Sequence, residues 1–251
     1  MNLEGNTILI TGGSSGIGRG LADAFHQLGN LVIISGRRQS ALDDVTATHP
    51  GMQAVAFDAA DPAAIRNFAQ TMRKKFPKLN VLINNAGIQN PENLLAQSED
   101  LTKMEAMVTT NMLGPIRLTA ALLPLLREQP NSTIINVTSG LGFLPGAFVP
   151  TYSATKAAMH SYTLSLRFQL KKTTTEVLEL IPPYVQTNLG PNHGADPRAM
   201  PLSDFIAEIM TILRNDSKVT EIVVERCKPL RFAAESGNFD AAFRGLNEAM
   251  G

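Results

Sequence analysis

Short apolar runs alternate with longer stretches of helical periodicity along the chain. The runs are 7–11 (TILIT), 31–35 (LVIIS), 53–57 (QAVAF), 80–84 (NVLIN), 133–137 (TIINV), 177–181 (VLELI) and 221–225 (EIVVE). Several read as apolar toward both faces, as strands covered by helices on each side should. Between them, amphipathic segments near 16–29, 39–47, 62–76, 102–127, 151–171 and 203–214 read as helices. Repeated strand–helix alternation predicts an α/β fold, a doubly wound parallel sheet of about seven strands with helices on both faces. Right-handed crossovers place ligands beyond the carboxyl ends of such strands, so the residues just after each run carry the chemistry.

Composition narrows the class. The chain has 251 residues, 44% of them hydrophobic. At that size about 75% of the unfolded surface can be buried, so one domain over 1–251 is expected. The Gly- and Pro-rich stretch at about 186–201 reads as a loop inside that domain. A formal net charge of +0 gives no sign of a nucleic-acid or membrane partner. No apolar run approaches the ~20 residues of a membrane span, and the start lacks the pattern of a secretory signal. The single cysteine, Cys227, excludes an internal disulfide and a Cys-rich metal site. A cytoplasmic protein is expected. His26, His49, His160 and His193 show no ligand spacing, so no metal is expected. His160 reads as a packed or interface residue; His193, in the loop, reads as packing or as a substrate contact.

The first strand runs into TGGSSGIG, residues 11–18. Gly12 suits a tight turn, while Gly16 and Gly18 let backbone approach a ligand and let the helix pack on the strand. Ser14, Ser15 and Ile17 lie in the same cradle. A helix starting near Gly16 would present free N–H groups and a positive dipole end to a pyrophosphate. At the end of the second strand, where an NAD site carries an acid, Gly36 stands instead, followed by Arg37 and Arg38. A guanidinium matches a phosphate through two parallel hydrogen bonds, so the pattern favours NADP(H) over NAD(H), with Ser14 adding a hydroxyl. Asp58, after the third strand, reads as an acceptor for the adenine amino group or as a cap; Asp61 before Pro62 fits the cap better. Asn85 and Gly87, in NNAG, allow backbone to lie close to a ribose or simply form a turn.

Tyr152 and Lys156 stand four positions apart in a helical stretch and so share a face. An ammonium ~4 Å from a phenolate is worth ~4 kcal/mol at an effective dielectric of ~20. That lowers a phenol pKa of about 10 toward neutrality, the range that suits acid–base work. Ser139 ends the fifth strand, where its hydroxyl can meet a substrate oxygen. Asn111 lies four residues before Pro115, whose missing N–H frees the Asn111 carbonyl inside a helix. That carbonyl can hold a water leading toward Lys156, or Pro115 merely kinks the helix.

TGGSSGIG, NNAG, Asn111, Ser139 and the Tyr152/Lys156 pair, in this order and spacing, resemble the short-chain dehydrogenase/reductase family over about residues 5–230. The resemblance implies a Rossmann-type fold. It implies that Tyr152 is the proton donor or acceptor and that Ser139 polarises the substrate oxygen. Lys156 would bind the nicotinamide ribose and tune Tyr152, and Asn111 would complete a proton relay. Val185 and Thr187 match positions that contact the nicotinamide amide, although Pro183 replaces the usual glycine just before them. This double proline, with TSGLGF and NNAGIQ, is similar to a DltE-like subgroup. The implied substrate pocket is walled by Gln89, Leu141, Phe143, Tyr184 and the loop. The implied activity is NADP(H)-dependent interconversion of a small carbonyl and its alcohol. A non-catalytic NADP(H) sensor and a cofactor-retaining epimerase or dehydratase are the alternatives. Relatives assemble through their long helices, so a homodimer or homotetramer is expected.

Overall fold

The computed structural model describes residues 1–96, 99–190 and 196–250. Seven strands form one parallel sheet: β1 (Thr7–Thr11), β2 (Leu31–Gly36), β3 (Gln53–Ala56), β4 (Val81–Asn84), β5 (Ser132–Val137), β6 (Thr175–Ile181) and β7 (Glu221–Val223). Their order is β3-β2-β1-β4-β5-β6-β7. The chain steps outward from β1 to β3, then returns to lay β4 on the other side of β1, pairing Ile8 with both Val32 and Val81. That reversal opens a crevice at the carboxyl ends of β1 and β4, the switch point of a Rossmann-type sheet.

The helices are α1 (Gly16–Gln27), α2 (Gln39–Ala47), α3 (Pro62–Lys75), α4 (Thr102–Val108), α5 (Gly114–Arg127), α6 (Pro150–Leu170), α7 (Leu202–Asn215), α8 (Lys228–Arg231) and α9 (Phe239–Met250). The pleat divides each central strand between two cores. Ile8, Ile10, Val32, Ile34, Val81 and Ile83 meet Leu21, Phe25 and Phe205 on one face. Leu9, Ile33 and Leu82 meet Phe68, Leu118 and Leu122 on the other. This two-sided burial is why the strands read as nearly continuous apolar runs.

The helix expected over 102–127 is not uniform. A π turn at Thr109–Leu113 separates α4 from α5, with the Gly114 amide bonded to the Thr109 carbonyl. Pro115 has no amide to continue the regular ladder, and the wider turn absorbs that gap. Gly114 is required there, because a Cβ would stand 2.7 Å from the Ala59 carbonyl oxygen. The chain's end adds α8 and α9, which periodicity had left unassigned.

Gly18 and Gly245 make opposite tests of these contacts. A Cβ at Gly18 would lie 2.4 Å from both Asn85 Nδ2 and the Gly12 carbonyl oxygen, whereas one at Gly245 meets nothing within 4 Å. Gly18→Ala should cost about 2 kcal/mol, lowering Tm by about 4–8 °C. Gly245→Ala, inside α9, should stabilise by about 0.5–1 kcal/mol. Thermal unfolding of the two variants checks the contrast.

Candidate active site

The crevice is a cleft of about 500 Å³, a normal size for a ligand site. The glycine turn forms its floor, with Gly12 at φ 67° and Gly16 at φ 53°. Both values lie in the left-handed region, where a side chain is strained. Gly12, Ser15, Gly16 and Ile17 line the cleft. Gly18 serves the packing of α1 instead, as its clash distances show. Asn85 braces the turn from β4: its Nδ2 donates to the Thr11 carbonyl at 2.9 Å, and its backbone amide donates to Thr11 Oγ1 at 3.0 Å.

Beyond the end of β2, Gly36 faces Ser14. A Cβ at Gly36 would be 3.8 Å from Ser14 Oγ, and the Arg37 and Arg38 side chains beside it are exposed. Neither guanidinium makes an ion pair among the described residues. Asp58 is exposed and closes the turn after β3 by accepting from the Ala60 amide at 2.9 Å. Asp61 caps α3 through the Ala63 amide at 2.7 Å, as the Asp-Pro pair predicts.

Tyr152 lies in the first turn of α6, which Pro150 opens, and Lys156 lies one turn further on. Both are buried and face the cleft. Lys156 Nζ donates to the Val137 carbonyl at the end of β5, at 2.9 Å, and stands 5.5 Å from the Tyr152 ring centroid. Ser139 follows two residues later; its hydroxyl accepts from the Leu141 amide at 3.1 Å and is hydrogen-bonded to Tyr152. Gly142 allows this approach, since a Cβ there would sit 3.0 Å from the Lys156 carbonyl carbon.

The expected downward pull on the phenol is corrected by the fold. Burial pushes Tyr152 up to about 12, with the Ser139 hydrogen bond drawing it back in part. Burial also pushes Lys156 down to about 8. Each charged form loses water in a site that does not fully replace it. The Lys156 ammonium is turned to a backbone carbonyl.

Asn111 sits in the π turn and is buried. Its Oδ1 accepts from the Ile88 amide and its Nδ2 donates to the Ile88 carbonyl, both at 2.8 Å. The side chain thereby clamps the segment after β4. Gly87 lies between the two groups, its Cβ position 3.4 Å from Asn111 Oδ1 and 3.8 Å from Lys156 Nζ.

Gln89, Leu141, Tyr184, Val185 and Thr187 line the cleft. Phe143 does not. The 3-10 turn Gly140–Gly142 carries it to the far side, where it packs edge-on against His160 at 4.4 Å and under the Arg231 guanidinium at 4.4 Å. His160 is a packed residue with a polar partner: its Nδ1 lies 2.8 Å from Glu179 Oε2. The fold also gathers His160, Glu179 and Glu221 within 4.8 Å of one another, a proximity no sequence spacing reveals. Arg231 binds both oxygens of Glu221, and Thr138 donates to Glu179 Oε1, so these carboxylates already hold partners. His193 lies outside the described residues. Leu230, Leu246 and Met250, from the end of the chain, complete the cleft and were missed. The apolar spacing of Phe239, Phe243, Leu246 and Met250 was the available signal.

Residues 6–198 match the family model described as short chain dehydrogenase. A Bacillus subtilis relative, "Uncharacterized oxidoreductase DltE", is 38% identical over 251 residues, covering 98% of this chain and 98% of its own. A short chain dehydrogenase from Burkholderia cenocepacia, solved in complex with NADP, superposes with TM-score 0.82 at 22% identity, covering 98% of this chain and 99% of that one. A short-chain dehydrogenase from Sphingobium yanoikuyae, in complex with NADPH, superposes with TM-score 0.78 at 27% identity, covering 96% and 94%. No helix among the described residues is long and apolar enough to cross a membrane.

The buried ammonium sets a pH signature. Between about 8 and 10.5 the unfolded chain keeps a proton on Lys156 that the folded chain has released. Stability conferred relative to a chain lacking this amine therefore rises with pH across that window. In urea unfolding, the native protein should gain on Lys156→Met from pH 8 to 10.5; parallel curves would show that the ammonium is not desolvated.

Proposed function

The chain belongs to the short-chain dehydrogenase family, and from that premise we propose that it moves hydride between NADP(H) and a small carbonyl–alcohol pair, with Tyr152 as acid and base. The observation that carries this reading is the convergence of Tyr152, Ser139 and Lys156 in one buried corner of a cleft floored by the glycine turn. The residues present fit the cofactor. Gly12 and Gly16 bare their backbone beneath a pyrophosphate, next to the amino end of α1. Ser14 Oγ beside Gly36, with exposed Arg37 and Arg38 next to it, offers a hydroxyl and two cations to a 2′-phosphate and no carboxylate to repel one. The NADPH-bound relative at 27% identity supports the same choice.

A dinucleotide held by Gly12, Gly16 and Lys156 would supply, in its reduced form, the hydride for the carbonyl carbon. The chain does the rest. Ser139 Oγ donates to the carbonyl oxygen as negative charge develops on it. Tyr152 gives that oxygen its proton. Burial keeps the phenol protonated through the neutral range, which suits the reductive direction. Lys156, its pKa drawn down to about 8, is poised to return a proton toward the phenolate and to hydrogen-bond a ribose hydroxyl. Asn111 and Gly87 keep the segment after β4 against this corner and give the relay its path. Val185 and Thr187 hold the carboxamide side of the ring. Exposed Leu164 and Phe168 on α6, the latter 68% accessible, support assembly into a dimer or tetramer.

Three measurements test this reading. Tyr152→Phe should lower kcat by about 10²–10⁴ with NADPH affinity by fluorescence titration unchanged. Turnover that survives the change would overturn Tyr152 as the acid. Gly36→Asp should shift the kcat/KM ratio toward NADH by at least about tenfold, through repulsion of the 2′-phosphate. A mass of one 27.0 kDa chain by light scattering would refute the oligomer.

A further inference from the structure

The outer wall of the cleft comes from the end of the chain. α9 has no fully buried residue. Phe239 and Phe243 stack on each other at 5.9 Å, and Leu246 and Met250 turn into the cleft. Polar contacts fix the helix in this place. Asn247 Oδ1 accepts from the Ala147 amide at 2.5 Å, and its Nδ2 donates to the Pro145 carbonyl at 3.2 Å. Arg198 donates to the Ala249 carbonyl at 2.8 Å. That bond satisfies one of the terminal carbonyls and sets a cation at the negative end of the helix dipole. Arg198 is also held by Asp196, which accepts from the Tyr184 hydroxyl at 3.2 Å. The Met200 amide donates to the Tyr184 carbonyl at 2.8 Å, tying the loop at its base. Tyr184, Asp196 and Arg198 are thus joined to the end of α9 by one chain of hydrogen bonds.

The chemistry of that wall is selective. Leu141, Leu189 and Leu230 line the same cleft as Leu246 and Met250, with Gln89 as a neutral polar group. Among the described residues lining the cleft, Lys156 is the one charged side chain, and it is bonded to Val137. The Arg198 guanidinium is occupied by Asp196 and Ala249. Among the described residues, a carboxylate or phosphate on the substrate would therefore lose its water with no free cation lining the cleft to receive it.

We propose that α9 is the substrate-selecting wall, admitting neutral carbonyl compounds whose apolar tail lies between Leu246 and Met250 on one side and Leu141 and Leu230 on the other. Asn247 is the positioning residue that holds the wall in place. This rests on the carbonyl reductase reading above.

The test is NADPH-dependent reduction of straight-chain methyl ketones from butanone to undecanone, with keto acids of matched length. In the native protein kcat/KM should rise by roughly fourfold per methylene while the tail contacts the helix, and the keto acids should lag by at least about tenfold. The double variant Leu246→Ser/Met250→Ser should flatten that slope, cutting the undecanone-to-butanone ratio by at least about tenfold. Asn247→Ala should raise KM for the long ketones while their kcat holds; NADPH affinity and Tm report folding for both variants. A slope absent from the native protein, a slope that survives both variants, or keto acids reduced as well as ketones would overturn the wall. No turnover of any ketone or keto acid, with NADPH bound, would instead overturn the reductase reading itself.

Discussion

The hydrogen bond from the Lys156 ammonium to the Val137 carbonyl holds the site together. It ties α6 to the end of β5 at the reacting corner, where Tyr152 stands on the helix and Ser139 on the segment that leaves the strand. Burying an ammonium beside a phenol is unfavourable, which is why Lys156 is pushed down and Tyr152 up. A fold tolerates this only where surrounding structure holds both groups against their preference for water. The sheet provides that rigidity, since β5 is buried at every position.

Close approach of backbone is the second constraint, and glycines meet it at specific points. Gly142 lets the Ser139 segment lie against the backbone of α6, and Gly114 lets the π turn meet the loop after β3. The π turn in turn aims Asn111 at Ile88, fixing the segment that passes behind Lys156. A chain of small contacts therefore runs from β3 to the reacting groups, none of them involving a large side chain.

Charged groups around Phe143 neutralise one another. Glu179 is fully buried but shares its oxygens between Thr138 and His160, and Arg231 is divided among Glu221, Glu235 and the Phe143 face. Phe143 packs against this network through His160 and Arg231, while Leu230, Leu246 and Met250 line the pocket. The resulting cleft is apolar outward of the reacting corner and polar within it.

The sequence by itself determined the parallel sheet, the glycine turn, the Tyr152/Lys156 face and Ser139 at a strand's end. These follow from periodicity and short spacings, which are local properties of the chain. It also placed the break near Pro115, because a missing amide acts within one turn. Only the tertiary structure decided which way the pKa values moved, because desolvation depends on everything packed around a group and not on its neighbour four residues away. It alone decided that Phe143 leaves the cleft while Leu246 and Met250 enter it, since those positions depend on contacts between residues far apart in the chain. Arg198 meeting Ala249 and Asn247 meeting Ala147 are of this kind, and no periodicity encodes them.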